Sequence, residues 1–213
     1  HTRYEVSNNA GQDICDIVNN EGFDFLLVGS GISMSDSPDD IAATRYRTSF
    51  YNRYFKRFKA PESWFYPGAL LKDKTKMFIA RSNCDVGVFI NRNFVKATNT
   101  LVVISSEEDL FLLDYTRTLL KATHGSVGIV AKMSTTTPGH DQILKELWDF
   151  VSSTPQTQLL PDKDLTPGLF NSYNFMLIGY NTWNDVSEHR KEALQKMPST
   201  LILNKNKRSS SDN

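Results

Sequence analysis

The residues whose types could support chemistry are few, and they stand where apolar runs of the chain end. Ser105 and Ser106 follow the β-branched run at residues 101–104, and Gly179 closes the apolar run at residues 175–178. In α/β folds the carboxyl ends of parallel strands are where small ligands bind. Ser105, Ser106 and Gly179 are therefore the residues that we assign to a candidate small-ligand site.

The histidines offer no metal site by their spacing. His124, His140 and His189 are scattered near predicted helix ends or in polar loops. A zinc site needs several His, Cys or carboxylate ligands at short, regular spacings, and no such set surrounds any of the three. We read them as surface histidines and predict no metal.

Nucleophilic catalysis has no better support. Ser30 lies between Gly29 and Gly31, but the G-x-S-x-G nucleophile pattern is absent, and a serine after a buried strand commonly caps a helix. Cys15 falls on an amphipathic helix and Cys84 opens a strand, so both are expected to be small core side chains and not reactive thiolates. We predict that the chain is not an enzyme.

Charge and composition exclude several classes of protein. The 213 residues carry 24 Lys and Arg against 24 Asp and Glu, so there is no overall positive charge that would indicate nucleic acid binding. The apolar runs are far shorter than a membrane-spanning helix needs. The two cysteines do not form a disulfide framework, which favours a reducing compartment. The first residue is His1, and no signal segment follows, so we expect a soluble unit cut from a longer polypeptide.

Apolar strands alternate with amphipathic helices along the chain, which predicts an α/β fold with a parallel sheet covered on both faces. Strands are expected at residues 4–6, 25–28, 86–90, 101–104, 127–131, 158–160, 175–178 and 201–203, and helices at 8–20, 107–121, 141–152 and 185–197. On the third of these helices we expect Ile143, Leu147 and Trp148 to point inward. At the start of the second, Ser106 and Asp109 approximate a capping box.

The chain contains an internal repeat. Residues 23–29 and 173–179 share the order aromatic, Asp or Asn, Phe, apolar, Leu, β-branched, Gly. Each copy is followed by a helical region and one more strand, so we predict two equivalent halves at residues 1–97 and 98–204, with the Gly29 and Gly179 strands central in both. The first half lacks an opening β-α-β and carries an insert at about residues 33–76. Residues 205–213 are expected to be a disordered tail. A chance origin, in which buried strands simply tend to end in glycine, is the alternative.

Three segments resemble the cytosolic C-terminal tail of bacterial and plant monovalent cation/proton antiporters, which is built from two universal-stress-protein-like halves. Residues 83–92, Asn-Cys-Asp-Val-Gly-Val-Phe-Ile-Asn-Arg, are similar to the closing strand of the first half in that family. Residues 25–30 are similar to its fourth strand, and residues 101–109 to the opening strand of its second half. The resemblance implies the adenine nucleotide alpha hydrolase-like fold, with the first half truncated at its N-terminus.

The same resemblance implies a function. It predicts a regulatory or interaction domain on the cytoplasmic side of the inner membrane, with the protein's own transport domain and a second copy as partners and no nucleic acid. The alternative is a free-standing universal-stress-like nucleotide-binding protein. Nucleotide-binding members carry a Gly-x2-Gly-x9-Gly-Ser/Thr pattern after the fourth strand, whereas here no glycine follows Gly179 and only Gly31 closely follows Gly29. Tight ATP binding is therefore not expected, and a smaller adenine nucleotide at the strand ends near Ser105, Ser106 and Gly179 is the one cofactor that we keep open.

A basic, aromatic stretch lies inside the insert. Between Asp40 and Glu62 there is no acidic residue, while six cations interleave with Tyr and Phe. The aromatic side chains could pack on the domain's own sheet, face a second copy or the transport domain, or lie against lipid headgroups or nucleic acid. Because unpaired cations cannot be buried whole, we predict an exposed docking surface. Its residues are Arg45, Phe50, Arg53, Tyr54, Lys56, Arg57 and Phe58.

Overall fold

The computed structural model describes residues 10–29, 74–133, 138–161, 164–189 and 196–206. Seven short apolar segments form the strands β1 (Phe25–Gly29), β2 (Asp85–Ile90), β3 (Asn99–Ile104), β4 (Ser126–Ala131), β5 (Thr157–Pro161), β6 (Phe175–Gly179) and β7 (Ser199–Asn204). The helices are α1 (Ala10–Glu21), α2 (Lys74–Arg81), α3 (Leu112–Thr123), α4 (His140–Ser153), α5 (Pro167–Phe170) and α6 (Tyr180–His189), and Glu107–Asp109 forms a 3-10 turn.

The strands form one sheet in the order β1-β2-β7-β6-β3-β4-β5. Every neighbouring pair is parallel except β2 and β7, which are antiparallel. Parallel strands need crossover connections, and the helices between them supply these. The predicted α/β class is confirmed, and the predicted parallel sheet is parallel except at the β2 and β7 pair. The prediction that both repeat strands are central is wrong for the described residues, because β6 lies in the middle of the sheet and β1 lies at its edge.

The registers of three strand pairs share one feature. In the parallel pair β1 and β2, Val28 lies opposite Val88, and in the parallel pair β6 and β7, Ile178 lies opposite Ile202. In the antiparallel pair, Val88 and Ile202 lie opposite each other. Val28 and Ile178 occupy the same place in the sequence repeat. Val88 and Ile202, which lie opposite each other in the β2 and β7 pair, are therefore the partners of two equivalent residues.

Each face of the sheet is buried under its own set of helices. On the α3/α4 face, Val102 and Leu177 pack with Leu112 and Leu147 in one apolar cluster. On the opposite, α5/α6 face, a second cluster is formed by side chains that are nearly all withdrawn from solvent. Its largest fully buried members are Phe170, Trp183, Leu101, Leu165, Met176 and Ile178. Burying one large apolar side chain stabilises a fold by about 1.5–3 kcal/mol, so these clusters hold the helices on the sheet.

Helix ends follow local chemistry where caps exist. α5 begins with Pro167 at its first position, and the side chain of Thr166 accepts a hydrogen bond from the backbone of Leu169. α3 ends at His124, which adopts the left-handed conformation with φ of 52° and donates its backbone N–H to Leu120. Such a residue closes the last turn of a helix without continuing it.

Two helix predictions need correction. α6 begins at Tyr180 and not at Asp185, because the chain turns into the helix directly after β6 and buries Trp183 completely. Trp148 does not point inward and is 53% exposed, since it lies one residue past the buried stripe of Ile143, Leu147 and Phe150 on α4. α2 was not predicted at all.

Several predictions fall partly or wholly outside the described residues. These are the strand at residues 4–6, most of the insert at 33–76 and the tail from residue 207 onward. Asn206, close to the last strand, donates its backbone N–H to Asp85 over 2.8 Å and its side-chain amide to the carbonyl of Ser82. Among the described helices none combines the length and the apolar character that crossing a membrane requires.

Candidate functional site at the strand ends

A buried carboxylate lies where β3 and β6 end. The 3-10 turn after β3 directs Asp109 back over the sheet, and only 2% of Asp109 remains exposed. Its Oδ2 accepts hydrogen bonds from the backbone N–H of Ser105 over 2.8 Å, from the Ser105 hydroxyl over 3.2 Å and from the Thr182 hydroxyl over 2.6 Å. The two hydroxyls also contact each other. We call Ser105, Asp109, Gly179 and Thr182 the strand-end cluster.

The sheet brings these residues together from distant parts of the chain. β3 and β6 are parallel neighbours with Val103 opposite Ile178, so Ser105 and Gly179, which follow them, meet at one end of the sheet. Thr182 lies in the first turn of α6, directly after Gly179. The sequence thus predicted two of the four residues correctly as neighbours, and it missed Asp109 and Thr182.

The position of the Asp109 carboxylate requires a residue without a side chain at Gly179. A Cβ atom added at Gly179 would collide with Oδ1 of Asp109. The backbone conformation at Gly179 is not left-handed, so its missing side chain matters for space and not for φ. The space above Gly179 is therefore filled by the protein's own aspartate.

The predicted capping box is wrong. Ser106 precedes the 3-10 turn in an extended conformation, and its side chain makes no capping hydrogen bond. Asp109 instead reaches the residue before it, Ser105. Beside the cluster, the side-chain amide of Asn181 donates to Glu108 over 2.7 Å and joins the loop after β3 to the start of α6.

The cluster binds the protein's own carboxylate. Two hydroxyl groups and one backbone N–H point at Oδ2, and a charged acceptor makes each of these hydrogen bonds stronger than a neutral one. Both hydroxyls donate to the carboxylate of Asp109, and no histidine belongs to the cluster. A phosphate placed here would compete with Asp109 for the same donors and be repelled by its charge.

A second concave region lies between α3 and α4 and contains none of the cluster residues. This groove has a volume of about 390 Å³. Arg117 lies over the ring of Phe150, 4.8 Å from its centroid, and pairs with Asp114 over 2.8 Å. The lining residues are Leu110, Leu113, Asp114, Arg117, Glu146, Asp149, Phe150 and Ser153. The one cation in the lining is thus already neutralised within its own helix.

The remaining candidates are dispersed. His140 lies beside Asp141 and His189 beside Asp185, and no group of three potential metal ligands occurs within the described ranges. Cys15 and Cys84 are free and buried, as predicted for core side chains. Burial, followed by the charge of Asp85, raises the pKa of the Cys84 thiol, which disfavours the reactive thiolate.

The predicted docking residues lie outside the described part of the chain. These are Arg45, Phe50, Arg53, Tyr54, Lys56, Arg57 and Phe58. Their role as a docking surface stays a prediction from the sequence.

Comparison with known proteins reveals the fold. No protein-family profile matches the sequence, and no curated protein is significantly similar to it. Among solved structures, the chain is similar to a universal stress protein from Archaeoglobus fulgidus DSM 4304, with a TM-score of 0.51 and 11% sequence identity. The match covers 92% of this chain but 66% of the archaeal chain. The fold is therefore that of a universal stress protein, and so low an identity shows the fold alone.

Proposed function

We propose that this chain is a regulatory or interaction domain of a membrane cation/proton antiporter, built from two universal-stress-protein-like halves that share one sheet. The observation that carries the proposal is the position of Val88 opposite Ile202. The fold of a universal stress protein and the resemblance of residues 25–30, 83–92 and 101–109 to the antiporter tails support it.

The strand registers support two related halves. If β1 and β2 correspond to β6 and β7, then Phe25 corresponds to Phe175 and Val88 to Ile202, because both parallel pairs have the same stagger. In the antiparallel pair, Val86 lies opposite Asn204, and Ile90 lies opposite Thr200. By the same correspondence Val86 is equivalent to Thr200 and Ile90 to Asn204, so interchanging the halves turns one pair into the other. A two-fold axis perpendicular to the sheet at the Val88–Ile202 pair accounts for all three registers.

The strand-end cluster supports a role without catalysis or tight nucleotide binding. Asp109 takes the three hydrogen bonds that a ligand anion would need, and Gly179 makes room for that carboxylate. A domain whose ligand position is filled by its own side chain still keeps a rigid α/β body. Such a body suits contacts with other proteins.

The partners follow from the proposed role. The transport domain of the same protein is the first, and a second copy of the chain is the next. The basic aromatic residues from Arg45 to Phe58 are the surface that we assign to one of these contacts, and the domain would lie on the cytoplasmic side of the inner membrane. Charge reversal at Arg53, Lys56 and Arg57 should weaken self-association, measured by sedimentation, whereas reversal of the exposed cation Lys121 on α3 should not.

Transport by the natural gene product tests the proposal. Cation-driven proton flux should be measured in inverted membrane vesicles that contain the intact protein or the protein without this chain. We expect flux from both, with a changed dependence on cation concentration or pH after the deletion. A natural gene product that drives no cation-dependent proton flux would refute the antiporter role.

The second candidate is a free-standing nucleotide-binding protein of the universal stress type. The fold favours it, since the strand-end cluster lies at the carboxyl ends of adjacent parallel strands, where such folds bind ligands. Equilibrium dialysis with labelled ATP and AMP separates the two candidates. Saturable binding of either nucleotide would favour the second.

A further inference from the structure

The loop that joins β2 to β3 carries two adjacent apolar residues at the surface. Phe94 is 39% exposed and Val95 is 90% exposed, although valine is among the residue types most often buried. We call Phe94 and Val95 the β2-β3 tip. Single exposed apolar residues are common on protein surfaces, so the tip is of interest only if the fold holds it outward and its surroundings are also unusual. Both conditions are met.

The first part of the loop fixes the tip to the sheet. The side-chain carbonyl of Asn91 accepts a hydrogen bond from the backbone N–H of Phe94 over 2.9 Å. The ring of Phe94 then packs against two aromatic side chains, with its centroid 5.5 Å from that of Phe89 and 5.3 Å from that of Phe175. Because Phe94 is held in this way, Val95, which follows it, projects away from the sheet.

The two ends of the loop are tied to neighbouring elements. Near its start, the backbone N–H of Arg92 donates to the hydroxyl of Ser199 over 2.8 Å. Near its end, the backbone N–H of Thr98 donates to the side-chain carbonyl of Asn174 over 3.2 Å. The carbonyl of Thr98 accepts the backbone N–H of Ser126 over 2.8 Å. The fold therefore holds the tip at the surface from both sides.

The surroundings of the tip carry positive charge. The strands β3 to β7 are mutually parallel, and the described loop segments that lead into them are 91–98, 124–125, 154–156, 171–174 and 196–198. None of these segments contains Asp or Glu, whereas Arg92, Lys96 and Lys196 are cations. At the opposite end of the sheet, the loop after β3 carries Glu107 and Glu108. The described loops are thus polarised, and the tip lies at the basic end.

We infer that the β2-β3 tip docks on a membrane surface that contains anionic lipid. Val95 enters the headgroup region, and Lys96 beside it faces the lipid phosphates. Removal of the apolar side chain from water favours binding, and each cation near an anionic leaflet strengthens it about fivefold. A free phosphate or nucleotide would use the cations but gains nothing from an exposed valine. The inference goes beyond the proposed function and does not require the antiporter role.

Charge argues against two other partners for the tip. The basic aromatic stretch of the same chain, between Asp40 and Glu62, carries six cations and no acid, so Lys96 and its neighbouring cations repel it. A second copy docked tip to tip by a two-fold axis would place the cations of both copies together. An anionic lipid surface has the complementary charge and also accepts the apolar side chains.

Cosedimentation with lipid vesicles tests the inference. The purified chain should bind vesicles of phosphatidylglycerol and phosphatidylcholine at least about tenfold more tightly than vesicles of phosphatidylcholine alone. Val95→Asp and Lys96→Glu should each lower the partition into the anionic vesicles about tenfold. Lys145→Glu is the matched control, because Lys145 is exposed in the first half of α4, which begins at the opposite end of the sheet. Its partition should equal that of the unchanged chain.

A fluorescent label reports on the tip itself. Val95→Cys and Asp141→Cys are each labelled with a dye whose emission rises in apolar surroundings, and the buried Cys15 and Cys84 should react slowly. At Val95 the emission should rise on anionic vesicles and fall when the lipid chains carry a nitroxide quencher. At Asp141, which is exposed at the start of α4, neither change should occur.

Each alternative gives a distinct result that would overturn the inference. High emission at Val95 without vesicles would show that the chain itself covers the tip, and a rise with protein concentration alone would show a second copy. If Lys96→Glu weakens binding but Val95→Asp does not, the basic end is a simple anion site. Absence of binding to both kinds of vesicle would refute membrane docking and leave the antiporter role to the flux measurement. Failure of that flux alone would leave the docking tip intact.

Discussion

The carboxylate of Asp109 occupies the space above Gly179 into which any other residue would project its side chain. Gly29 holds the same place in the sequence repeat, yet no described residue lies within 4 Å of a Cβ added there. The two glycines therefore have different physical roles. Gly179 accommodates a buried acid, whereas no described group crowds Gly29.

Substitution of the two glycines should separate these roles. Gly179→Ala should lower the free energy of unfolding by about 2–3 kcal/mol, because the added methyl displaces Asp109 and disturbs its three hydrogen bonds. Gly29→Ala should change it by less than about 0.5 kcal/mol. Urea unfolding measures both. A similar cost at the two positions would contradict the contact with Asp109.

Removal of the carboxylate should also destabilise the chain. Asp109→Ala leaves the backbone N–H of Ser105 and two hydroxyl groups without their acceptor, and we expect a loss of about 2–4 kcal/mol in urea unfolding. Glu107→Ala is the control, because Glu107 lies in the same 3-10 turn and is exposed. Its cost should stay below about 0.5 kcal/mol. Equal costs would show that Asp109 does not hold the strand ends together.

The sequence predicted the regular part of the fold because that part depends on local composition. Short apolar runs rich in β-branched residues, such as residues 101–104 and 127–131, are typical of buried strands, and each lies within β3 or β4. The antiparallel pairing of β2 with β7 was not predictable in this way. It joins segments more than a hundred residues apart, and short strands carry no local signal of their partner.

The strand-end cluster was only half visible in the sequence for a similar reason. Ser105 and Gly179 follow apolar runs, which identifies them as strand ends. Asp109 stands in an acidic stretch that is typical of a helix start. In the structure it is instead buried and accepts a hydrogen bond from Thr182, which is 73 residues away and gives no local signal in the sequence. The start of α6 was missed because Tyr180 and Asn181 are weak helix formers and packing of Trp183 decides the helix there.

Tyr115 should make the stability depend on pH in the alkaline range. Burial, and then the hydrogen bond of 2.9 Å that it donates to Asp85, raise the pKa of the Tyr115 hydroxyl. Because an unfolded tyrosine loses its proton near pH 10, this contribution is complete below about pH 10 and is lost as the pH rises toward the folded-state pKa.

Replacing that hydroxyl should therefore change the pH profile. Tyr115→Phe should cost about 1 kcal/mol at pH 8, where Asp85 loses a donor. Above about pH 10 its unfolding free energy should fall less steeply than that of the unchanged chain. Urea unfolding between pH 8 and 11 measures both slopes. Parallel profiles would show that Tyr115 does not keep its proton longer in the folded chain.

The two leucines of the repeat should respond differently to truncation in this chain. Leu177→Ala removes side-chain atoms from a packed cluster and should cost about 2–5 kcal/mol. Leu27→Ala removes atoms that already face water and should cost less than about 1 kcal/mol. Thermal or urea unfolding provides the comparison. A large cost at Leu27 would show that its side chain is covered in this chain.

Anion binding at the strand ends should depend on Asp109. In the unchanged chain its carboxylate holds the donors from Ser105 and Thr182, so millimolar ATP or phosphate should not raise the melting temperature. Asp109→Ser removes the negative charge and frees those donors. An anion at ten times its Kd would then stabilise the folded variant by about 1.4 kcal/mol, which is several degrees in melting temperature.

Glu107→Ser makes the same change of charge at an exposed position and should behave like the unchanged chain. Differential scanning fluorimetry in phosphate, compared with chloride of equal ionic strength, distinguishes a specific site from a general effect of salt. If all three proteins respond alike, the strand ends are not an anion site that Asp109 occupies.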